Sequence, residues 1–102
     1  MKGGNKMKKL NLLFKFENIN FDDICNEFEN NELIKNISNY GIINEDSVID
    51  YFNKDENDQL YSYTVNYDNE QYLFYEHVET LEEDGKVKHG NYKSIEIFKL
   101  SK

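Results

Sequence analysis

Imidazole and thiol side chains, the usual proton carriers and zinc ligands near neutral pH, are few in this sequence: two histidines, His77 and His89, and one cysteine, Cys25. Glu76 and Glu79 flank His77, a set that would suit general acid–base work if its members converged. They lie in a stretch whose apolar residues alternate with period two, and a strand sends Glu76 to one face and His77 with Glu79 to the other. In a hairpin closed by Asp84-Gly85, His77 and His89 also face opposite ways and share no metal, and no second cysteine completes a zinc set. Cys25 follows Ile24 on what reads as the apolar side of a helix, where a small thiol packs rather than attacks. Asn53, Asp55 and Asn57 copy the first alternating ligand positions of an EF-hand loop, yet Asp58 stands where its Gly belongs and Thr64 where its bidentate Glu belongs. The sequence holds no P-loop and no Gly-x-Gly-x-x-Gly. These residues predict no catalytic group, no cofactor and no metal, hence a binding protein rather than an enzyme.

Carboxylates, by contrast, are plentiful. The 102 residues hold 20 acids against 12 Lys and no Arg, a net charge of -8, and their distribution is uneven. Residues 1–16 sum to +5, residues 17–84 to -17, and residues 85–102 to +4. That balance disfavours a chain that grips phosphate backbones itself; Lys86, Lys88, Lys93 and Lys99 near Tyr92 and Phe98 would meet an opposing field. Two candidate surfaces emerge. The first is acidic: Asp22, Asp23, Glu27, Glu29 and Glu32, then Glu45, Asp46, Asp50, Asp55, Glu56 and Asp58. Carboxylates so spaced imitate a run of phosphates and suit a basic partner's nucleic-acid channel. The second is apolar: Leu73, Tyr75, His77, Tyr92 and Phe98, with Leu100, on one sheet face.

No Ala, Pro, Trp or Arg, with 15 Asn, is what a strongly AT-rich coding sequence produces, and it points to a low-GC bacterium or a phage or mobile element living in one. In size, acidity and composition the chain is similar in general character to anti-CRISPR and anti-restriction proteins. That resemblance implies a small acidic inhibitor of a basic, nucleic-acid-handling host defence protein, with no direct nucleic-acid contact. The alternatives are an immunity protein or antitoxin that neutralises a toxin nuclease, and a homodimeric structural or regulatory module joined through the meander face. A single cysteine, no signal-peptide cleavage site after the basic start, and no window of about 18 apolar residues predict a soluble cytoplasmic protein without membrane contact.

Positioning these residues requires a core that 38 % apolar residues and 15 % aromatics can build. Residues 1–7 read as a flexible tail and 8–102 as one domain. Leu10, Leu12, Phe14 and Phe16 alternate as one face of a strand. Asn20 caps a helix carrying Phe21, Ile24 and Phe28; a further helical pattern through Leu33, Ile37 and Tyr40 ends at Gly41, suited to a left-handed position. Asn44 is expected to cap another short helix burying Val48, Ile49 and Phe52. From Gln59 on, period two and the turn signals Asp68-Asn69 and Asp84-Gly85 predict a meander, with Val65 opposite Tyr72 and Phe74 opposite Ile95. The expected fold is therefore α+β: an N-terminal strand, two or three short helices, then a three-stranded antiparallel meander, the helices packed on one face of a mainly antiparallel sheet.

Overall fold

The structure, a computed structural model, describes residues 9–101; the tail expected over 1–7 lies outside them. Its elements are β1 (Lys9–Ile19), α1 (Phe21–Asn30), α2 (Glu32–Tyr40), β2 (Ile42–Asn53), β3 (Asp58–Tyr67), β4 (Glu70–Glu83) and β5 (Lys86–Ser101). The strands form one five-stranded sheet in the order β1-β5-β4-β3-β2, antiparallel at every pairing. This overturns the expected architecture. The described residues are predominantly strand with only two helices, and the meander runs through four strands, β2 to β5. β1 and β2 are the two edges, and the helices carry the chain from one edge to the other.

The segment 44–53 accounts for most of the difference. Asn44 does turn the chain as a helix cap would: its Oδ1 accepts from Asp46 N at 3.2 Å and its carbonyl accepts from Ser47 Oγ at 2.6 Å. No helix follows. The turn becomes a bulge in β2, and Ser47 Oγ accepts from Thr64 N at 2.8 Å, replacing the ladder bond that the bulge interrupts. Val48, Ile49, Tyr51 and Phe52 are β-branched or aromatic and favour a pleated surface. A helix here would also have left β3 as a bare edge with unpaired backbone groups.

The helical crossover breaks at Asn31, which ends one helix and starts the next. Its N–H donates to Phe28 O at 3.3 Å, while its Oδ1 accepts from Ile34 N at 3.1 Å. Asn20 caps α1 by accepting from Asp23 N at 2.7 Å. Gly41 ends α2 with φ -70, so the left-handed conformation expected there is absent. Its smallness serves packing instead: a Cβ at Gly41 would overlap Ile37 O and Val65 Cγ1.

Both hairpin turns have the positive φ of a type I′ connection: Asp68 and Asn69 at 51° and 61°, Asp84 and Gly85 at 54° and 76°. Val65 opposes Tyr72, whereas Phe74 opposes Ile97, not Ile95. Irregularities around Val78 insert extra residues into β5 and shift the register by two, which keeps the apolar faces matched. A bulge at Leu13 in β1 has the opposite consequence. Phe14 and Phe16 pair with Ile97 and Ile95, but Leu10 and Leu12 pair with Leu100 and Phe98 and so leave the helix-covered face.

Ile24, Ile34 and Ile37 of the helices pack on Val65, Tyr72, Phe74, Ile95 and Ile97 of the sheet, with Phe14, Phe16, Phe28, Leu33 and Tyr63 around them. Several expected core members are exposed: Leu10, Leu12, Phe21, Val48, Ile49 and Phe52. Cys25, expected to pack inward, is exposed on α1.

Candidate protein-binding surfaces

The acidic candidates fall on two adjoining parts of the chain. Asp22, Asp23, Glu27 and Glu29 lie on α1 and Glu32 opens α2; Glu45, Asp46 and Asp50 lie on edge strand β2; Asp55 and Glu56 lie in the turn to β3. All ten are exposed. Glu29 pairs with Lys35 at 3.2 Å. Among the described residues, no ammonium lies within 4 Å of the other nine. Asp50 is steadied by Gln59, whose Nε2 donates to its Oδ1 at 2.5 Å.

Asp58 does not belong to that surface. Its side chain is only 7 % exposed, and it accepts from Lys93 Nζ while its Oδ2 lies 3.0 Å from His77 Nε2. The Lys93 ammonium holds the Asp58 carboxyl below the usual carboxylate range, against the opposing effect of burial, with His77 adding a second hydrogen bond. The cluster ties β3, β4 and β5 together at one end of the sheet. Lys93 reaches it because it is the extra residue of the β5 bulge, between Tyr92 opposite Val78 and Ser94 opposite His77.

Directly paired residues share a face, so the pairings map the uncovered side of the sheet in rows. Leu10, Leu100, Gln71, Asn66 and Ile42 form one row; Leu12, Phe98, Leu73, Thr64 and Asn44 the next; Lys15, Glu96, Tyr75, Ser62 and Ile49 a third; Glu17, Ser94, His77, Leu60 and Tyr51 a fourth. Leu73, Tyr75, His77 and Phe98 thus share this face. Tyr92 does not: the β5 bulge turns it to the helix side, where it packs beside the main core. Leu10, Leu12, Ile42, Ile49 and Tyr51 on the uncovered face are 49–71 % exposed. A sheet face this apolar exceeds what a solvated strand surface needs.

On the opposite face the helices cover only part of the sheet. Beyond them lies a cleft of about 210 Å³ lined by Asp50, Gln59, Tyr61, Glu76, Val78, His89 and Tyr92. An aromatic series leads from the core to its wall: Phe28 on Phe74 at 6.5 Å, Phe74 stacked on Tyr63 at 5.3 Å, and Tyr63 beside Tyr61 at 5.3 Å. Tyr63 O–H donates to Glu76 Oε2 at 3.2 Å. Burial raises the Glu76 carboxyl above its ordinary range, with the tyrosine bond opposing. Burial, reinforced by the charge of Glu76, also raises Tyr63 and Tyr92. The phenol of Tyr63 therefore remains a donor. A larger hollow of about 840 Å³ at the Asp68-Asn69 end is open to solvent, and the ion pair of Lys99 with Glu70 sits beside it.

A regular two-residue turn at Asp84-Gly85 would set Glu76, on the face of Tyr72 and Phe74, opposite Lys93 as an acid–base pair; the β5 bulge sets it opposite Ile95 instead, and Lys93 goes to Asp58. The sequence signal at Glu76 was a lone acid at an inward position of an otherwise apolar alternation. Among the described residues, no group of three or more His, Cys, Asp or Glu side chains gathers as metal ligands would, and no helix is long and apolar enough to cross a membrane. No family model, curated protein or solved structure matches this chain.

Proposed function

We propose that the chain is a small non-enzymatic inhibitor that binds the basic groove of a nucleic-acid-handling protein. The setting that suits its composition is a phage or mobile element acting against host defence, in the manner of anti-CRISPR or anti-restriction proteins. One observation carries this reading: nine exposed carboxylates on the crossover and the β2 edge have no ammonium within 4 Å among the described residues. Uncompensated charge of one sign opposes compaction, and a basic partner offsets that opposition while gaining rapid encounter.

Affinity capture from a low-GC host lysate, repeated with the D22K/D23K/E27K variant, tests it. A partner captured by the wild type is expected to be lost with the variant. Its association rate should fall by tenfold or more as salt rises from 0.1 to 1 M, where the Debye length shrinks from about 10 Å to about 3 Å. A partner held equally by the variant, or at high salt, overturns the reading. An immunity protein or antitoxin would use the same surface; a toxin gene beside this one separates that case.

A second reading rests on the uncovered sheet face, and its occupant is a second copy of this chain. In the four rows mapped above, the charges on that face are the paired Lys15 and Glu17, with Glu96 and His77; the Asp58–Lys93 pair, Glu79 and the charges of the β4–β5 hairpin lie beyond them at one end. That face is thus the part of a -8 molecule least opposed to self-association.

A further inference from the structure

We infer that the cleft lined by strands β2 to β5 on the helix-bearing side of the sheet is a binding site for a single guanidinium group, an arginine side chain of the basic partner. The inference rests on the proposed function for the source of that arginine, and on the cleft for its chemistry. About 210 Å³ is too small for a nucleotide or an ordinary cofactor, which need roughly 300 Å³ or more, and is of the size that takes one side chain. Tyr61, Tyr92 and Glu76 line it, with Asp50, Gln59, Val78 and His89.

A planar guanidinium stacks on a tyrosine face and donates two parallel bonds to a carboxylate, so a lining of tyrosines and carboxylates is complementary to both of its properties. The Tyr61 ring is held in place, because it leans on Tyr63 and Tyr63 is stacked on Phe74 in the core. Little order remains to be imposed on binding. Asp50 at the rim, oriented by the Gln59 amide, supplies the second carboxylate. Glu76 itself is half-buried, and among the described residues no cation lies within 4 Å of its carboxylate, whose one side-chain hydrogen bond there is from Tyr63. A carboxylate in that position is disfavoured as an anion until a positive group arrives.

The test uses the purified chain and N-acetyl-arginine methylamide as probe, with the citrulline analogue, neutral and nearly the same shape, as control. Ring resonances of Tyr61 and Tyr92 are followed by NMR. The expected result is saturable movement of both at millimolar arginine probe, at least tenfold weaker binding of the citrulline probe, and at least tenfold weaker arginine binding by E76Q. If E76Q fails to fold, D50N on the exposed edge carries the test: a loss of threefold or more supports the site, and unchanged affinity overturns it. Equal binding of the two probes, no movement of either ring, or E76Q binding as the wild type does also overturns it. Because no partner protein enters the experiment, failure here leaves the acidic-surface reading standing, and a failed partner capture leaves this site standing.

Discussion

Asp58 and Glu76 are carboxylates on neighbouring strands whose environments push them in opposite directions. Asp58 is held ionised by Lys93 and His77, so its folded pKa lies below the ordinary 3.8. Its contribution to stability is complete above that ordinary value and is lost as pH falls through the lowered one. Asp58→Asn is expected to destabilise the protein by about 2 kcal/mol at pH 7, the range of hydrogen bonds to charged groups. Urea unfolding should show the difference shrinking as pH falls below 3.8. Glu76 is raised above its ordinary 4.5 by burial, so folding favours its protonated form. The stability that it contributes is present below that value and lost as pH rises through the raised one. Glu76→Gln keeps an acceptor for Tyr63 and removes the loss. It should therefore unfold at a higher temperature than the wild type at pH 7, and show no such advantage at pH 4.

Two connections decide how the elements are arranged. At Asn31 one residue satisfies the end of α1 and the start of α2, which lets the helices change direction without an intervening loop. At Gly41 the chain passes so close to Ile37 and Val65 that no side chain fits. Gly41→Ala is therefore expected to cost about 2 kcal/mol, in the range of overpacked cores, although its φ of -70 suits alanine. A thermal melt checks this, and an unchanged midpoint would show that α2 can shift away from the sheet. The edge strands show a different device. β1 presents Lys9, Lys15 and Glu17, and β2 presents Glu45, Asp46 and Asp50. Charges of this kind keep unpaired strand edges from recruiting another chain edge to edge.

For the molecule as a whole, the sheet has one face partly covered by helices and one face uncovered. Two copies stacked through the uncovered faces would bury Leu12, Phe98, Leu73 and Ile49 between sheets, as in a β-sandwich. If that occurs, sedimentation at high micromolar concentration gives a dimer. The L12K/I49K variant should then be monomeric and equally stable, because both residues are exposed, at 51 % and 61 %. A wild-type monomer at that concentration overturns the dimer. The segregated charge takes a shape here too: Lys9 and Lys15 of β1 lie on the strand that pairs with β5, which carries Lys86, Lys88, Lys93 and Lys99, and the acidic segment supplies the crossover, β2, β3 and β4.

Local preference alone settled a good deal. Alternation at Leu10 to Phe16 and from Gln59 onward marked strands, Asn20 marked a helix start, and Asp68-Asn69 and Asp84-Gly85 marked tight turns, since each depends on residues a few positions apart. Of the candidate sites, the exposure of the acids was legible because burying unpaired carboxylates is too unfavourable. What local spacing left open was everything that needed a distant partner. The residues 44–53 suit a helix or a strand, and the unpaired edge of β3 chose the strand. The bulges at Leu13 and Lys93 turn Leu12 outward and Tyr92 inward, a reversal that period-two counting along one strand does not reveal. Asp58 looked like one more surface acid until Lys93 and His77, from other strands, enclosed it. The cleft around Glu76 draws its lining from four strands, β2 to β5, which only the folded sheet brings together.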